Sequence, residues 1–567
     1  MPVSALKITL LIRQLFNPSI ISMNASNKSD TMKNISENII CQLIESNAQT
    51  RAQLAEIKRK IAGSFKLPQP STADLLRAYR QLLAGGEIQT APRLESLLKK
   101  RAVRTLSGVA VVAVLTKPYP CRGKCAYCPT EKAMPKSYLS NEPAVMRAVL
   151  CGFHPYRQVR HRLEILENNG HPTDKVELII MGGTWSHLPR QYQTWFIKEC
   201  FRATNATGLK TLNSKLKIKS LKELQKINET SKRRIVGLTL ETRPDCVTPA
   251  EIKRMRELGC TRVELGVQTT DDFILQLNRR GHNVQAVVEA TKLLKDAGLK
   301  ITYHMMPNLP GAAPAKDLGV FKELFANPDF RPDMLKIYPC VVTEHSLLYR
   351  WWKKGKYKPY DGGQLLDLLV KIKEIIPPYV RIARLIRDIP SSSIAAGNKV
   401  SNLREAIAEE MRRRGRQCQC IRCREIKGAE YEPKNIKYIR REYAASGGRE
   451  YFLSFEDIGQ NKLLAFLRLR LPPLTHGLKS IAQNLPELKE ASLIREVHTY
   501  GQAVQVNEHS KTAAQHFGFG KKLMAAAEKI AREAGFAKMA VISGVGAREY
   551  YRKIGYIMEG TYMVKYL

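Results

Sequence analysis

The chain has 567 residues, of which 44% are hydrophobic and 25% charged, so it can form two or three domains and is too apolar to be disordered throughout. No apolar run reaches the roughly 18–20 residues that span a bilayer, which excludes membrane-spanning segments, and we expect a cytoplasmic protein with no membrane partner. Lys and Arg number 92 against 52 Asp and Glu, a net charge of +40 that predicts a nucleic-acid partner; a salt-adapted or Lys-rich composition is the alternative.

Two kinds of sequence precede residue 107. Residues 1–45 are rich in Asn and Ser and are predicted to form a poorly ordered extension. Residues 46–106 contain two amphipathic patterns with basic outer faces, "QTRAQLAEIKRKIAG" and "STADLLRAYRQLLAGG". The second opens on a helix start signal and stops at Gly-Gly, so this stretch is predicted to be a basic helical segment.

Residues 107–400 alternate short β-branched runs with helical stretches. Six strands are predicted, at 108–115, 175–183, 234–242, 261–269, 299–307 and 333–339. This alternation predicts an α/β fold with repeated βαβ units, which form a complete or partial TIM-like barrel. In such a barrel, reactive groups lie at the carboxyl ends of the strands.

Three cysteines follow the first predicted strand. Cys121, Cys125 and Cys128 have CxxxCxxC spacing and can ligate three irons of a 4Fe–4S cluster, which leaves the fourth iron open. This pattern is typical of radical S-adenosylmethionine enzymes, in which the open iron binds the cofactor. The alternatives are a zinc site, for which the loop lacks a fourth ligand, or unrelated cysteines.

Polar residues and glycines at the ends of later strands predict a pocket around this loop. The glycines would let the backbone approach a cofactor, although each residue alone could be structural. The candidates are Gly182, Gly183, Glu241, Arg243, Gln268 and Lys336.

A second cysteine cluster lies in residues 401–430, which we expect to be a metal-binding linker. Cys418, Cys420 and Cys423 have CxCxxC spacing, which favours a structural zinc site with a fourth ligand from elsewhere. A second iron–sulfur cluster is the alternative.

Residues 431–567 are predicted to form a compact α+β domain. Its motif "QHFGFGKKLM", with Gln515, Gly518 and Gly520, precedes a long helix whose backbone N–H groups could bind a pyrophosphate. The order of strands around this loop resembles the GNAT acetyltransferase fold, which implies that acetyl-CoA binds here.

Long stretches of residues 60–567 resemble one family, the catalytic third subunit of Elongator in its stand-alone archaeal and bacterial form. They include "KSYLSNEPAVMRA", "DKVELIIMGGTW", "LTLETRPD", "CTRVELGVQT", "YHMMPNLPG", "REVHTYG" and "AVISGVGAREYYRKIGY". The resemblance implies a tRNA-modifying acyltransferase that makes 5-carboxymethyluridine at the wobble position of the anticodon loop. S-adenosylmethionine, acetyl-CoA and a reductant would be required, and residues 46–106 would bind tRNA. The need for protein partners is left open.

The resemblance also implies the acetyl-CoA contacts. They are Lys175, Glu496, Val497, His498, Thr499, Phe519, Gly520, Lys521 and Tyr551. His498, Tyr550 and Tyr551 are the candidates for hydrolysis or acid–base work, but His498 and Tyr551 could instead be packed core residues.

Two competing functions remain at this point. One is a protein lysine acetyltransferase with a structural cluster, and the other is a tRNA-binding module without chemistry.

The loop with Cys121, Cys125 and Cys128 departs from the pattern of many members of the family that the chain resembles. They have a longer gap between the first two cysteines and "CPGG" after the third, where this chain has "CPT".

Overall fold

The structure is a computed structural model that describes residues 25–98, 108–206, 219–427, 431–473, 479–500 and 518–567. The chain divides into two compact units, residues 1–106 with 161–173 and residues 107–160 with 174–567. None of the helices in the described ranges is long and apolar enough to cross a membrane.

The first unit has an apolar core formed by helices. Capping boxes at Thr50 and Ser71 begin the second and third helices, because each side chain accepts from the backbone three residues later. Leu75 and Tyr79 pack in this core with residues of the first helix. The helices are Ala25–Glu45 (α1), Arg51–Ser64 (α2), Thr72–Ala84 (α3) and Pro92–Leu98 (α4).

Helix α1 differs from the poorly ordered extension expected for residues 1–45. Ile35, Ile39, Ile40 and Leu43 are all buried, at a spacing that places them on one face of the helix. The prediction from composition missed this face because many polar residues lie between the apolar ones. Residues 1–24 lie outside the described residues.

The second unit begins with a sheet of seven parallel strands, ordered β1 to β7. The edge strands β1 and β7 each pair with one neighbour in this sheet, so the barrel is partial. This confirms the predicted TIM-like fold. The strands are Ala110–Leu115 (β1), Lys175–Met181 (β2), Arg234–Thr242 (β3), Arg262–Gln268 (β4), Lys300–Met305 (β5), Met334–Ile337 (β6) and Arg381–Arg384 (β7).

Helices follow most of these strands, as βαβ units require. The seventh strand was not predicted, because "RIAR" is short and half of its residues are charged. The helices are Pro143–Leu150 (α5), Pro155–Asn168 (α6), Arg190–Asn205 (α7), Leu221–Asn228 (α8), Pro249–Glu257 (α9), Asp272–Leu277 (α10), Val284–Asp296 (α11), Pro314–Ala326 (α12), Leu347–Lys353 (α13) and Gly362–Glu374 (α14).

Two short helices, Leu403–Arg413 (α15) and Ile421–Arg424 (α16), lead into a second seven-stranded sheet, ordered β13-β14-β12-β11-β10-β9-β8. Its strands are Ile436–Ala445 (β8), Gly448–Asp457 (β9), Lys462–Leu471 (β10), Ala491–Thr499 (β11), Lys538–Val541 (β12), Ile557–Glu559 (β13) and Tyr562–Tyr566 (β14). The helices are Lys479–Ala482 (α17), Phe519–Glu533 (α18) and Arg548–Arg552 (α19). Helix α18 buries its apolar face on this sheet.

Buried charges join this sheet to the barrel. Arg495 of β11 donates to Asp333 at 3.0 and 2.5 Å and to Glu450 of β9 at 2.8 Å. Arg470 of β10 contacts Asp296 at 2.5 Å. Asp333 immediately precedes β6 and Asp296 ends α11, so the second sheet packs against the amino-terminal end of the barrel.

Candidate functional site

The loop with Cys121, Cys125 and Cys128 follows β1 at the carboxyl end of the barrel strands. Backbone hydrogen bonds hold it in place: the N–H of Ala126 donates to Asn278 at 3.0 Å, and the N–H of Leu348 donates to the carbonyl of Ala126 at 2.8 Å. The loop is therefore fixed from two other parts of the barrel.

The spacing of these thiols distinguishes them from the second cluster. Among the described residues, the sulfur atoms of Cys418, Cys420 and Cys423 all lie within 4.8 Å of one another. The three sulfur atoms of the first loop are not that close together. A single zinc ion with bonds of about 2.3 Å needs the closer spacing. The wider spacing of the first loop fits ligands to separate irons of a cluster.

Cations surround the thiols of the first loop. Arg280 donates to the sulfur of Cys125 at 3.3 Å, and Nη1 of Arg243 is buried with no partner among the described residues. A Cβ at Gly123 would lie 2.7 Å from that Nη1 and 3.5 Å from two of the sulfurs, so Gly123 brings the backbone close to both groups and a larger residue would displace the guanidinium. Burial alone would raise the pKa of Cys125, but Arg280 and Arg243 outweigh it and lower that pKa. This cationic cradle suits thiolates and an anionic cluster.

A cavity of about 440 Å³ opens beside the loop and runs along the inside of the barrel. At the carboxyl end of the strands it is lined by Cys121, Cys125 and Gly183. At the amino-terminal end it is lined by Arg262 and Arg381. One cavity therefore reaches from the cysteine loop to the end of the barrel on which the second sheet packs.

Buried acids and cations form one wall of this cavity. Glu264 of β4 accepts from His304 at 2.8 Å and from Lys336 of β6, and Glu241 of β3 accepts from Tyr138 at 2.9 Å. Burial would raise the pKa of Glu264, but Lys336 and His304 outweigh it and hold that pKa well below its usual range. Glu264 therefore stays ionised and holds Lys336 and His304 in place on this wall.

Three further candidates from the sequence, Gln268, Gly183 and Gly182, lie at the ends of strands near the loop, and each has a positive φ. Gln268, at the end of β4, has a φ of 78° and lines the cavity. Gly183 has a φ of 100° and also lines it, whereas Gly182 has a φ of 128° and its Cβ would lie 2.1 Å from Oγ1 of Thr116. Glycine is therefore needed at position 182 because Thr116, the residue after β1, comes too close for a side chain.

The floor of the cavity is built from ion pairs. Arg262 contacts Glu177 at 2.5 Å, and Arg381 donates to Glu425 at 2.9 Å and to the hydroxyl of Tyr500 at 2.8 Å. Tyr500 follows β11, so the floor contacts the strand that carries the predicted acetyl-CoA residues.

The start of α18 lies beside the end of β11. Strand β12 pairs with β11 over Ala491–Ile494 and ends at Val541, so it does not pair with the later residues of β11. The amino terminus of α18 lies next to this part of β11: a Cβ at Gly520 would lie 3.2 Å from the hydroxyl of Tyr550 and 3.8 Å from Oγ1 of Thr499. Gly518 caps this helix with a φ of 66°. The structure thus places Thr499, Gly520 and Tyr550 together.

The other predicted acetyl-CoA residues lie in different surroundings. Glu496 accepts from Arg468 at 3.0 Å and from Lys300 at 3.4 Å, and although burial opposes it, Lys300 and Arg468 lower its pKa to about 2. Lys175 is the first residue of β2 and is half-buried. Lys521 is exposed on α18. Gln515 lies outside the described residues.

Four candidates pack as core or half-buried residues. Phe519 stacks on Phe455 with ring centroids 4.6 Å apart, so its ring packs in the core. Tyr551 is buried in the same core, and Val497 packs against it. The ring of His498 lies 4.3 Å from that of Tyr500, and burial lowers the pKa of His498 to about 4.

Sequence reasoning did not single out Glu264, His304 or Arg280. Glu264 and His304 are each a charged or polar residue inside a strand whose other residues are mostly buried, which is a signal that could have found them. Arg280 lies in the turn after α10, and nothing in its neighbourhood marks it.

Comparison with known proteins defines the class first. Residues 119–315 match the Radical SAM superfamily, and residues 332–413 match the Radical_SAM C-terminal domain. With a three-cysteine loop at the carboxyl ends of a parallel partial barrel, this chain is a radical S-adenosylmethionine enzyme.

Relatives define the family. The chain is 44% identical to the tRNA uridine(34) acetyltransferase of Methanocaldococcus infernus, over 95% of this chain and 100% of the relative. It is 40% identical to human Elongator complex protein 3, over 93% of this chain and 96% of the relative. A solved structure of archaeal Methanocaldococcus infernus Elp3 with an N-terminal deletion matches with a TM-score of 0.69 and 44% identity, and covers 81% of this chain and 100% of that one. The chain belongs to this family of tRNA uridine(34) acetyltransferases and Elongator complex protein 3.

Proposed function

We propose that this chain modifies the wobble uridine of tRNA to 5-carboxymethyluridine, with S-adenosylmethionine and acetyl-CoA as co-substrates. The observation that carries this proposal is the barrel cavity. It is lined by the cysteine loop at one end, and its floor contacts the residue that follows β11 at the other. An enzyme that joins a radical reaction to an acetyl donor needs both sites on one enclosed space.

Cys121, Cys125 and Cys128 would hold the 4Fe–4S cluster. When bound, the cluster and S-adenosylmethionine supply a carbon-centred radical, and acetyl-CoA supplies the two-carbon unit. Arg243 and Arg280 would stabilise the thiolates and the cluster's negative charge, since the unpartnered Nη1 of Arg243 already faces the loop.

The wall of the cavity would orient S-adenosylmethionine. The cavity is lined at the carboxyl end of the strands by Gly183, Glu241 and Gln268. The hydroxyl of Tyr138 donates to the carboxylate of Glu241 and holds it in place. Glu264 remains ionised and fixes the ammonium of Lys336 and the ring of His304, so it acts as a positioning residue for both side chains.

The end of β11 and the start of α18 would hold acetyl-CoA. Backbone N–H groups at the start of α18, from Gly518 to Lys521, would bind the pyrophosphate, because a helix amino terminus carries partial positive charge. Lys175 would add a cation from the barrel. Nε2 of His498 is buried with no hydrogen-bond partner among the described residues, so His498 would be the group that accepts a proton in thioester hydrolysis, with Tyr550 and Tyr551 as the alternative groups.

The second cysteine cluster would hold a structural zinc ion. The sulfurs of Cys418, Cys420 and Cys423 lie within 4.8 Å of one another, which suits three ligands of one tetrahedral ion. Arg424, in the same turn, is bonded to Glu456 of β9 at 2.8 Å, so the ion would stiffen the connection to the second sheet.

The basic helices of residues 46–106 would contact the tRNA backbone. The net charge of +40 supports this, because phosphate contacts provide most non-specific affinity for nucleic acid. The target base would enter the cavity unpaired, as enzymes that act on a base require.

The test is an anaerobic assay with cluster-loaded protein, a reductant, S-adenosylmethionine, tRNA and acetyl-CoA labelled with ¹³C in the acetyl group. We expect labelled 5-carboxymethyluridine by mass spectrometry of digested tRNA. Cys125→Ala should abolish it, and Cys200→Ala, which changes a buried cysteine in α7 away from both clusters, should not. Acetylated lysine formed independently of Cys125, with no modified uridine, would contradict the proposal and favour the lysine acetyltransferase.

A further inference from the structure

A group of aromatic rings lies on the surface next to the cysteine loop. Tyr119 and His187 have ring centroids 6.1 Å apart, and Trp195 lies 5.5 Å from Tyr192 and 5.4 Å from His154. We refer to these five residues as the aromatic strip. They come from the segment after β1, the segment after β2, the residue before α6, and α7.

Lys117 connects the two halves of the aromatic strip. Its backbone N–H donates to the hydroxyl of Tyr192 at 3.0 Å, and its ammonium lies 5.0 Å from the centroid of that ring. Lys117 and Tyr119 are separated by one proline, so the Tyr119–His187 pair and the Tyr192–Trp195 pair are neighbours along the rim.

The strip borders the candidate active site. Tyr119 is two residues from Cys121, and Oγ1 of Thr184, in the turn that leads to His187, lies 3.9 Å from the sulfur of Cys121. Tyr119 is 37% exposed and Trp195 is 39% exposed, which leaves parts of both side chains open to solvent. Large aromatic side chains left open beside a reactive site indicate a ligand surface.

The surrounding charge selects the kind of ligand. Residues 116–130 and 182–198 contain no Asp or Glu, but they contain Lys117, Arg122, Lys124, Arg190 and Lys198. Glu199 lies near His154 at one end of the strip, and it is paired with Arg202 at 2.6 Å. Exposed rings with several cations beside them are the combination with which proteins bind single-stranded nucleic acid, because cations contact phosphates and rings stack on bases.

We propose that the aromatic strip stacks unpaired bases of the tRNA loop that flank the target uridine. This inference rests on the proposed function, because it takes the tRNA loop as the strand that reaches the cavity. Stacking would keep the neighbouring bases outside the barrel while the target base enters it, since every base has a face that a ring can cover.

The test measures binding of a fluorescein-labelled anticodon stem-loop to the full chain by anisotropy. Trp195→Ala should weaken binding by about 5- to 150-fold, the range for one lost stacked base, and Trp195→Phe should restore most of it. Affinity for a duplex with the stem sequence and no loop should not change. The salt dependence of Trp195→Ala should equal that of the wild type, whereas Lys117→Ala should reduce its slope by roughly one.

Tyr438→Ala is the matched control. Tyr438 is 44% exposed on β8 of the second sheet, and its loss should leave binding of the stem-loop unchanged. Wild-type affinity in both Trp195→Ala and Tyr119→Ala would overturn the proposal and make the strip a protein-docking surface. An equal loss for the loop and the duplex would also overturn it, because stacking requires unpaired bases.

The binding assay is independent of turnover. If the wild type makes no carboxymethyluridine but Trp195→Ala still loses loop-specific binding, the proposed function is wrong and base stacking by the aromatic strip is supported. If the wild type makes the product and Trp195→Ala binds normally, only the proposal of base stacking is wrong.

Discussion

Replacing Arg495 by Met tests whether buried charges hold the second sheet on the barrel. The Arg495 side chain is fully buried and makes charged hydrogen bonds to Asp333 and Glu450, plus one to the carbonyl of Leu299 at 2.8 Å. Methionine fills much of the same volume but leaves two buried carboxylates with fewer partners.

The expected cost follows from what remains. Asp333 keeps Arg468 at 3.6 Å and Glu450 keeps Arg470 at 3.1 Å, so neither acid is left entirely unpaired. Removing one partner from a buried ionic network costs about 3–5 kcal/mol, and the surviving pairs place Arg495→Met near the lower end.

Urea unfolding measures this cost. All four Trp residues lie between residues 185 and 352, so fluorescence reports the barrel, and circular dichroism reports both sheets. Lys371→Ala, which removes an exposed pair with Asp367 at 2.7 Å, is the control and should change the free energy of unfolding by less than about 0.5 kcal/mol. An unchanged free energy in Arg495→Met would refute the reasoning, because desolvation of the network would then cancel its attraction.

Three further predictions follow from single sites. Gly182→Ala should lose cleavage of S-adenosylmethionine, measured by chromatography, because its Cβ would meet Thr116 at 2.1 Å; Gly183→Ala, whose nearest atom is 3.7 Å away, should lose less. Since burial lowers the pKa of His498 to about 4, the unfolded state binds more protons between about pH 6.5 and 4, so stability should fall as pH falls through that window. His498→Gln should flatten this slope in urea titrations at several pH values, and an unchanged slope would contradict the shift. Cys420→Ser should remove zinc but leave iron bound, as measured by elemental analysis, and loss of iron instead would favour a second iron–sulfur cluster.

The sequence determined the chemistry that this chain can perform. The CxxxCxxC loop after an apolar strand and the alternating βαβ pattern each depend on local spacing, so the radical S-adenosylmethionine class and the partial barrel were predictable. The start of α18 after Gly518 was predictable for the same reason, since a helix amino terminus is set by neighbouring residues.

Local spacing also had limits within the secondary structure. Helix α1 was missed because its four buried apolar residues are diluted by polar ones, and β7 was missed because charged residues occupy half of a four-residue strand. In both cases the burial that stabilises the element comes from distant parts of the chain.

Only the tertiary structure decided which residues share a site. Arg280 reaches Cys125 from 155 residues away, and Glu264 is bonded to His304 and Lys336 on two other strands. Such contacts depend on how strands are ordered in the sheet, which no local pattern encodes. The same holds for the cavity whose floor contacts Tyr500, because packing of the second sheet on the amino-terminal end of the barrel, through buried charges, creates that contact.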